Sequence, residues 1–174
     1  MRIDGHVHFV GDGSNGSGCW LRRNLGDRLF EPLVKSQAGI FRSSQKLGVD
    51  QAYEEKLIEL IQDSSLDAVL LLAMDYPYDT EGNCRNAEAK FYVPNDHVLG
   101  LAEKYPQMIP ACSIHPARRD AIEELERCAG RGAKVLKLLP NCHDVDCSDH
   151  RYRAFWKKLA QLDLPFLAHT GGEF

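Results

Sequence analysis

The chain has 174 residues, 44% of them hydrophobic and 26% charged, which is ordinary globular composition and excludes disorder, collagen and coiled coil. The net charge of −4 argues against a nucleic-acid binder, which normally carries a basic excess. Mean hydropathy is −0.35 and the longest clean apolar run, 68–74, is far too short to span a bilayer. The opening residues carry no apolar stretch of signal-peptide type, so the expected compartment is the cytosol.

Residues 2–9, R-I-D-G-H-V-H-F, read as a first strand. Residues 11–18 are rich in Gly, Ser and Asn and read as a flexible loop. Residues 19–48 lack clear periodicity, so 11–48 is expected to be an irregular excursion with some short helix. Asp50 is placed to cap a helix over about 51–63, whose apolar residues Tyr53, Leu57, Leu60 and Ile61 share one face. Residues 67–74 form a continuous apolar run, the mark of a strand buried on both faces. After a polar loop, Asn95 opens a helix to about 104, and 108–114 is a further strand. A helix over 118–129, a strand over 133–139, a helix from about 149 with Tyr152, Phe155, Trp156 and Leu159 inward, and a strand over 165–170 complete the chain. Strand and helix alternate, which specifies a parallel sheet with right-handed crossovers.

The fold class is therefore α/β. The expected architecture is one domain, 1–174, holding about five units of a TIM (β/α)8-type barrel and truncated after the fifth strand. A complete five-stranded open sheet of flavodoxin type is the alternative, with 11–18 imitating a phosphate loop. The outer strands of such a fragment would be open to pairing, so a homo-oligomer is expected.

In a strand, residues i, i+2 and i+4 share a face, so Asp4, His6 and His8 point the same way. Two imidazoles about 6–7 Å apart along a strand can converge on one metal ion. His169 ends the last strand, and in a parallel barrel all strand C-termini meet on one rim. His6, His8 and His169 are the candidate ligands, and three neutral imidazoles suit a divalent ion, zinc above all. Lys137, within the fourth strand on the parity of Val135 and Leu139, and His115 and His143, at or near strand ends, are candidates, with Asp4, to line the pocket; His97 is expected at the surface. Cys142 and Cys147 flank His143, but their spacing matches no paired zinc framework, and the six cysteines read as thiols. Arg22, Arg23, Arg28 and Arg42 fall near the expected rim, where they either bind a carboxylate or are solvated.

These segments resemble a known family. D-G-H-V-H at 4–8 resembles the D-x-H-x-H signature of the amidohydrolase superfamily. Residues 132–140, G-A-K-V-L-K-L-L-P, resemble its fourth strand, and 165–171, P-F-L-A-H-T-G, its fifth-strand metal histidine. Residues 101–116 are similar to the passage into strand three of the amidohydrolase-related branch, which includes predicted hydrolases and non-oxidative decarboxylases. The resemblance implies a metal-dependent hydrolase in which activated water attacks a carbonyl carbon of a small molecule. It also implies a general base on strand eight, which has no counterpart in this sequence, so activity of the chain by itself is doubtful. The alternatives are a decarboxylase on the same scaffold and a non-catalytic metal-binding remnant.

Overall fold

The structure is a computed structural model and describes residues 1–22 and 25–169, with side chains outside 25–30. Its elements in chain order are β1 (Ile3–His8), β2 (Trp20–Leu21), α1 (Leu25–Gln37), α2 (Phe41–Leu47), α3 (Val49–Asp63), β3 (Ala68–Leu72) and β4 (Phe91–Tyr92). There follow α4 (Asn95–Lys104), β5 (Met108–Cys112), α5 (Ala121–Gly130), β6 (Val135–Leu138), α6 (Pro140–His143), α7 (Arg153–Gln161) and β7 (Phe166–Ala168). The expected strand position Thr170 and the rim candidates Arg23 and Arg28 lie outside the described side chains.

The main sheet runs β1-β3-β5-β6-β7, every neighbouring pair parallel. Spatial order follows chain order without a reversal. That excludes the doubly wound open sheet, which needs a switch point. The sheet is also curled. Five flat strands would put β1 and β7 about 19 Å apart, at roughly 4.8 Å per strand. Instead the rings of His6 on β1 and His169, just past β7, have centroids 5.7 Å apart. The five strands form a half-barrel whose concave face gathers side chains from both ends of the sheet.

Alternation along the strands sorts the core. Leu70, Leu72 and Ala111 pack with Ile109, Val135 and Leu167 on one face. On the other, Val69, Leu71 and Met108 pack under Leu57 and Ile61 of α3 and Val98 and Leu101 of α4. Cys112, Leu136 and Leu138 pack under Leu125 and Cys128 of α5 and Phe155 and Leu159 of α7. The run 68–72 is buried at all five positions, as a strand covered on both faces must be.

The excursion after β1 is more ordered than its sequence suggests. Residues 11–18 are pinned by Asp50, whose carboxylate is 2% exposed. Its Oδ1 accepts the amides of Asp12 and Gly13 (2.7 and 3.2 Å), and Oδ2 accepts the Asn15 amide and Ser17 hydroxyl (3.3 and 2.6 Å). Asp50 therefore does not cap its own helix. The loop does so in return: Ser14 Oγ accepts from the amides of Val49 and Asp50, and Asn15 Oδ1 from that of Gln51. Gly11 lies so close to this carboxylate that a Cβ there would stand 2.7 Å from Asp50 Oδ1. Trp20–Leu21 then pair antiparallel with Phe91–Tyr92, laying a two-stranded ribbon beside the strand ends.

A second buried brace joins the loops after β3, β5 and β6. Asp75 accepts the amides of Tyr76 and His115 (2.8 and 2.9 Å) and Arg118 Nη1 (3.2 Å). His115 accepts the Ala117 amide at Nδ1, so its proton is on Nε2, which donates to the His143 carbonyl at 2.8 Å. His143 accepts the Leu139 amide at Nδ1 and donates through Nε2 to the Asp75 carbonyl at 3.2 Å. Both imidazoles are neutral and essentially buried. Burial, then the neighbouring His115, pushes His143 down to about 4, and burial lowers His115 as well. Burial raises the Asp75 carboxyl against the pull of Arg118.

Replacing Asp50 by Ala strands four donors at a buried position. It should destabilise the fold by about 3 kcal/mol in urea unfolding. It should also open residues 11–18 to proteolysis, whereas Asp63→Ala at the exposed end of α3 should fall within about 0.5 kcal/mol of the wild type. The pH dependence follows from the sign of the histidine shift. Above pH 6.5 His143 is neutral in both folded and unfolded chains. As pH falls toward 4, the unfolded chain takes up a proton that the folded one refuses, so stability falls. Between pH 7 and pH 5 the loss from His143 should be about 2 kcal/mol. His143→Asn keeps an acceptor for Leu139 and should flatten the profile by that amount, since Asp75 is common to both proteins; equal slopes would contradict the assignment.

Candidate functional site

The site is built on the first and last strands. The pairing of β1 with β3 slips by one residue between Asp4 and Val7, so β1 bulges there. Asp4 Oδ1 turns back to accept the His6 amide at 3.0 Å, which ties this carboxylate to its own strand. Across the bulge, the His6 and His8 rings face each other. Their Nε2 atoms are 3.0 Å apart and their ring centroids 4.9 Å. His169 is held in place by its amide, which donates to the Leu138 carbonyl at 3.0 Å and extends the β6–β7 ladder. Its ring stands edge-on to that of His6. The structure thus brings the three predicted imidazoles together.

Two nitrogens on one tetrahedral zinc stand about 3.3 Å apart, from a Zn–N bond of roughly 2.05 Å. The His6–His8 spacing is close to that, and the donor type suits zinc or a neighbouring divalent transition ion. Among the described residues, no three His, Cys, Asp or Glu side chains stand as a ready-made cage. The imidazoles gather, and the residues fit the ion in chemistry and in the spacing of the first pair.

Neighbours hold His8 from two sides. The Tyr53 hydroxyl on α3 donates to the His8 carbonyl at 3.1 Å, and burial pushes this phenol up, so it remains a donor. Phe91 on β4 lies edge-on to the His8 ring at 6.0 Å. Sequence reading missed Phe91, because a two-residue strand carries no periodicity; only its pairing with β2 brings it here. Trp20 and Tyr92 of the ribbon form a separate aromatic group with Tyr76 of the loop after β3, Tyr76 and Tyr92 being stacked at 4.0 Å.

The remaining candidates divide. Lys137 shares its side of β6 with Val135, is 1% exposed, and lies opposite Leu167 in register. It brings a charged side chain to the concave face, and its charge contributes to lowering His143. His115 and His143 belong to the loop brace, with both ring nitrogens of each engaged by main chain. With its imidazole so occupied, the stretch between Cys142 and Cys147 has no ring to offer a metal. His97 is not at the surface: it is half-buried, its ring packs 4.3 Å from Phe9, and burial lowers its pKa. Arg22 and Arg42 are exposed. Among the described residues, no helix is long and apolar enough to cross a membrane.

The comparisons with known proteins bear on the fold and the family. No curated protein matches the chain. Among solved structures it is similar to a probable 2-pyrone-4,6-dicarboxylic acid hydrolase from Acinetobacter baumannii with citric acid bound, at a TM-score of 0.58 and 11% identity. The alignment covers 97% of this chain and 49% of that one, so this chain spans about half the length of its structural neighbour. At that identity the likeness is one of fold. The family model described as Amidohydrolase matches residues 3–174, practically the whole sequence, and this chain belongs to the amidohydrolase family.

Proposed function

We propose that this chain carries the metal-binding half of a metal-dependent hydrolase, with His6, His8 and His169 as ligands and zinc as the ion. The observation that supports this reading is the convergence of three imidazoles from opposite ends of the sheet. A half-barrel gains nothing in stability from spending three concave positions on imidazole, where Val, Ile or Leu would bury more apolar area. When bound, the ion supplies Lewis-acid activation of water for attack on a carbonyl carbon.

The chain's own residues do the rest. His6 and His8 hold their Nε2 atoms toward a common point. The Tyr53 hydrogen bond to the His8 carbonyl fixes the end of β1, and the β6–β7 ladder fixes His169. Phe91 walls one side of His8 and keeps water from that flank. Lys137 brings a positive charge to the concave face, where it orients a carboxylate or carbonyl oxygen of a small substrate.

The reading is tested by metal content. Purified chain reconstituted with zinc and dialysed should hold close to one equivalent by mass spectrometry. His8→Ala and His169→Ala should each weaken binding by more than about 100-fold, beyond the 10–100-fold typical of residues that only support ligands. Zinc at about 100 times its Kd should also raise unfolding stability by about 2.7 kcal/mol in the wild type and not in either variant. Absence of bound zinc in the wild type, or equal binding in both variants, would withdraw the assignment.

A further inference from the structure

We propose that the cavity at the first turn of α4 is a binding site for a small oxyanion, separate from the histidine cluster. Its volume is about 350 Å3, and none of His6, His8 and His169 lines it. That size is at the lower end of ligand pockets, roughly 300–1,000 Å3.

Three observations point to an acceptor as the missing partner. First, α4 follows Pro94 and has no side-chain cap, so the amides of Asn95 and Asp96 open the helix as donors at the positive end of its dipole. Second, the Ser113 side chain, 1% exposed, lines the cavity, and its hydroxyl has no hydrogen-bond partner. A buried hydroxyl left unbonded costs free energy that a ligand or water must recover. Third, the carboxylates that share the cavity are engaged at every oxygen but Asp96 Oδ2. Asp75 accepts two amides and Arg118. Glu124 accepts Asn95 Nδ2 and two nitrogens of Arg127, and Asp96 Oδ1 accepts Arg127 and Arg131. Each Nη of an arginine bears two hydrogens, and the contacts of Arg118 and Arg127 leave some unspent. Hydrogen-bonding capacity around the cavity is therefore in surplus on the donor side. Because Arg118 and Arg127 face the carboxylates of Asp75, Asp96 and Glu124 in the same lining, hydrogen bonds and not net charge must hold the guest, which rules out a dianion and suits a compact monoanion such as a carboxylate or monobasic phosphate.

The test is a titration of the 15N-labelled full chain with sodium acetate and, separately, sodium phosphate, at ionic strength held constant with sodium chloride. Saturable shifts are expected at the amides of Asn95, Asp96 and Ser113 with at least one of the two anions, and which one saturates identifies the source. Ser113→Ala should weaken that binding about fivefold or more. Without added anion the variant should be as stable as the wild type, since no protein hydrogen bond is removed. Shifts that stay linear for both anions, binding unchanged in Ser113→Ala, or a variant destabilised without anion would each overturn the proposal. They would leave a water-filled cavity or a structural hydroxyl, and none of them would touch the zinc reading.

Discussion

Parallel strands laid down in chain order, each crossing over with the same hand, must curl, because twist accumulates in one direction and no reversal relieves it. Everything at the site depends on that curl. It turns two histidines on the first strand and one beyond the last into neighbours, although they are more than 160 positions apart in sequence. It also gives the sheet two kinds of face: one covered by α3, α4, α5 and α7, the other concave, where Leu70, Leu72, Ala111 and Val135 share space with Lys137.

The loops at the strand ends are held by buried side chains bonded to main chain more than by surface ion pairs such as Arg85–Asp144. Asp50 gathers the loop after β1, and Asp75, His115 and His143 gather the loops after three further strands. This suits a site built on loops. A surface pair contributes about 0–1 kcal/mol, whereas a buried polar group satisfied by backbone fixes a single geometry, because every alternative leaves a donor or acceptor stranded. The brace and the histidine cluster do different work. One holds the loop ends, and the other is carried on the strands they bound.

What was legible in the sequence was whatever local periodicity encodes. The apolar run 68–72, the amphipathic face of α3 and the H-x-H alternation at 6–8 each announce an element and a facing, except that Leu60, expected on the inner face of α3, lies 54% exposed while Ile58 packs on the core instead. Helix α5 was legible too, though it begins at Ala121 and not at 118, since Arg118 is drawn to Asp75. The rest depends on contacts distant in sequence. The loop 11–18 looks flexible by composition because its order comes from Asp50, more than thirty residues on. By the same token Asp50 looks like a cap, since nothing local shows that its oxygens are taken. The register slip between Asp4 and Val7 is likewise invisible to simple alternation, because it shows only in the pairing with β3. Trp20 meets Tyr92, and Leu21 meets Phe91, only because two-residue strands pair across seventy residues, a distance at which local pattern carries no signal.

The same physics separates the two sorts of histidine in this molecule, which composition cannot. An imidazole has two nitrogens, and a structural one spends both. His115 and His143 each take an amide at Nδ1 and give a proton to a carbonyl from Nε2, so protonation would break a bond and burial adds to the cost. His6 and His8 instead turn Nε2 toward Nε2 at 3.0 Å. Only one of two facing nitrogens can carry the hydrogen between them, so the other offers its lone pair. A cation placed between them would take both lone pairs at once, a use for the contact that a brace built on main chain does not offer. The distinction lies in which atoms oppose each ring, and in a curled parallel sheet that is decided by strands at opposite ends of the chain.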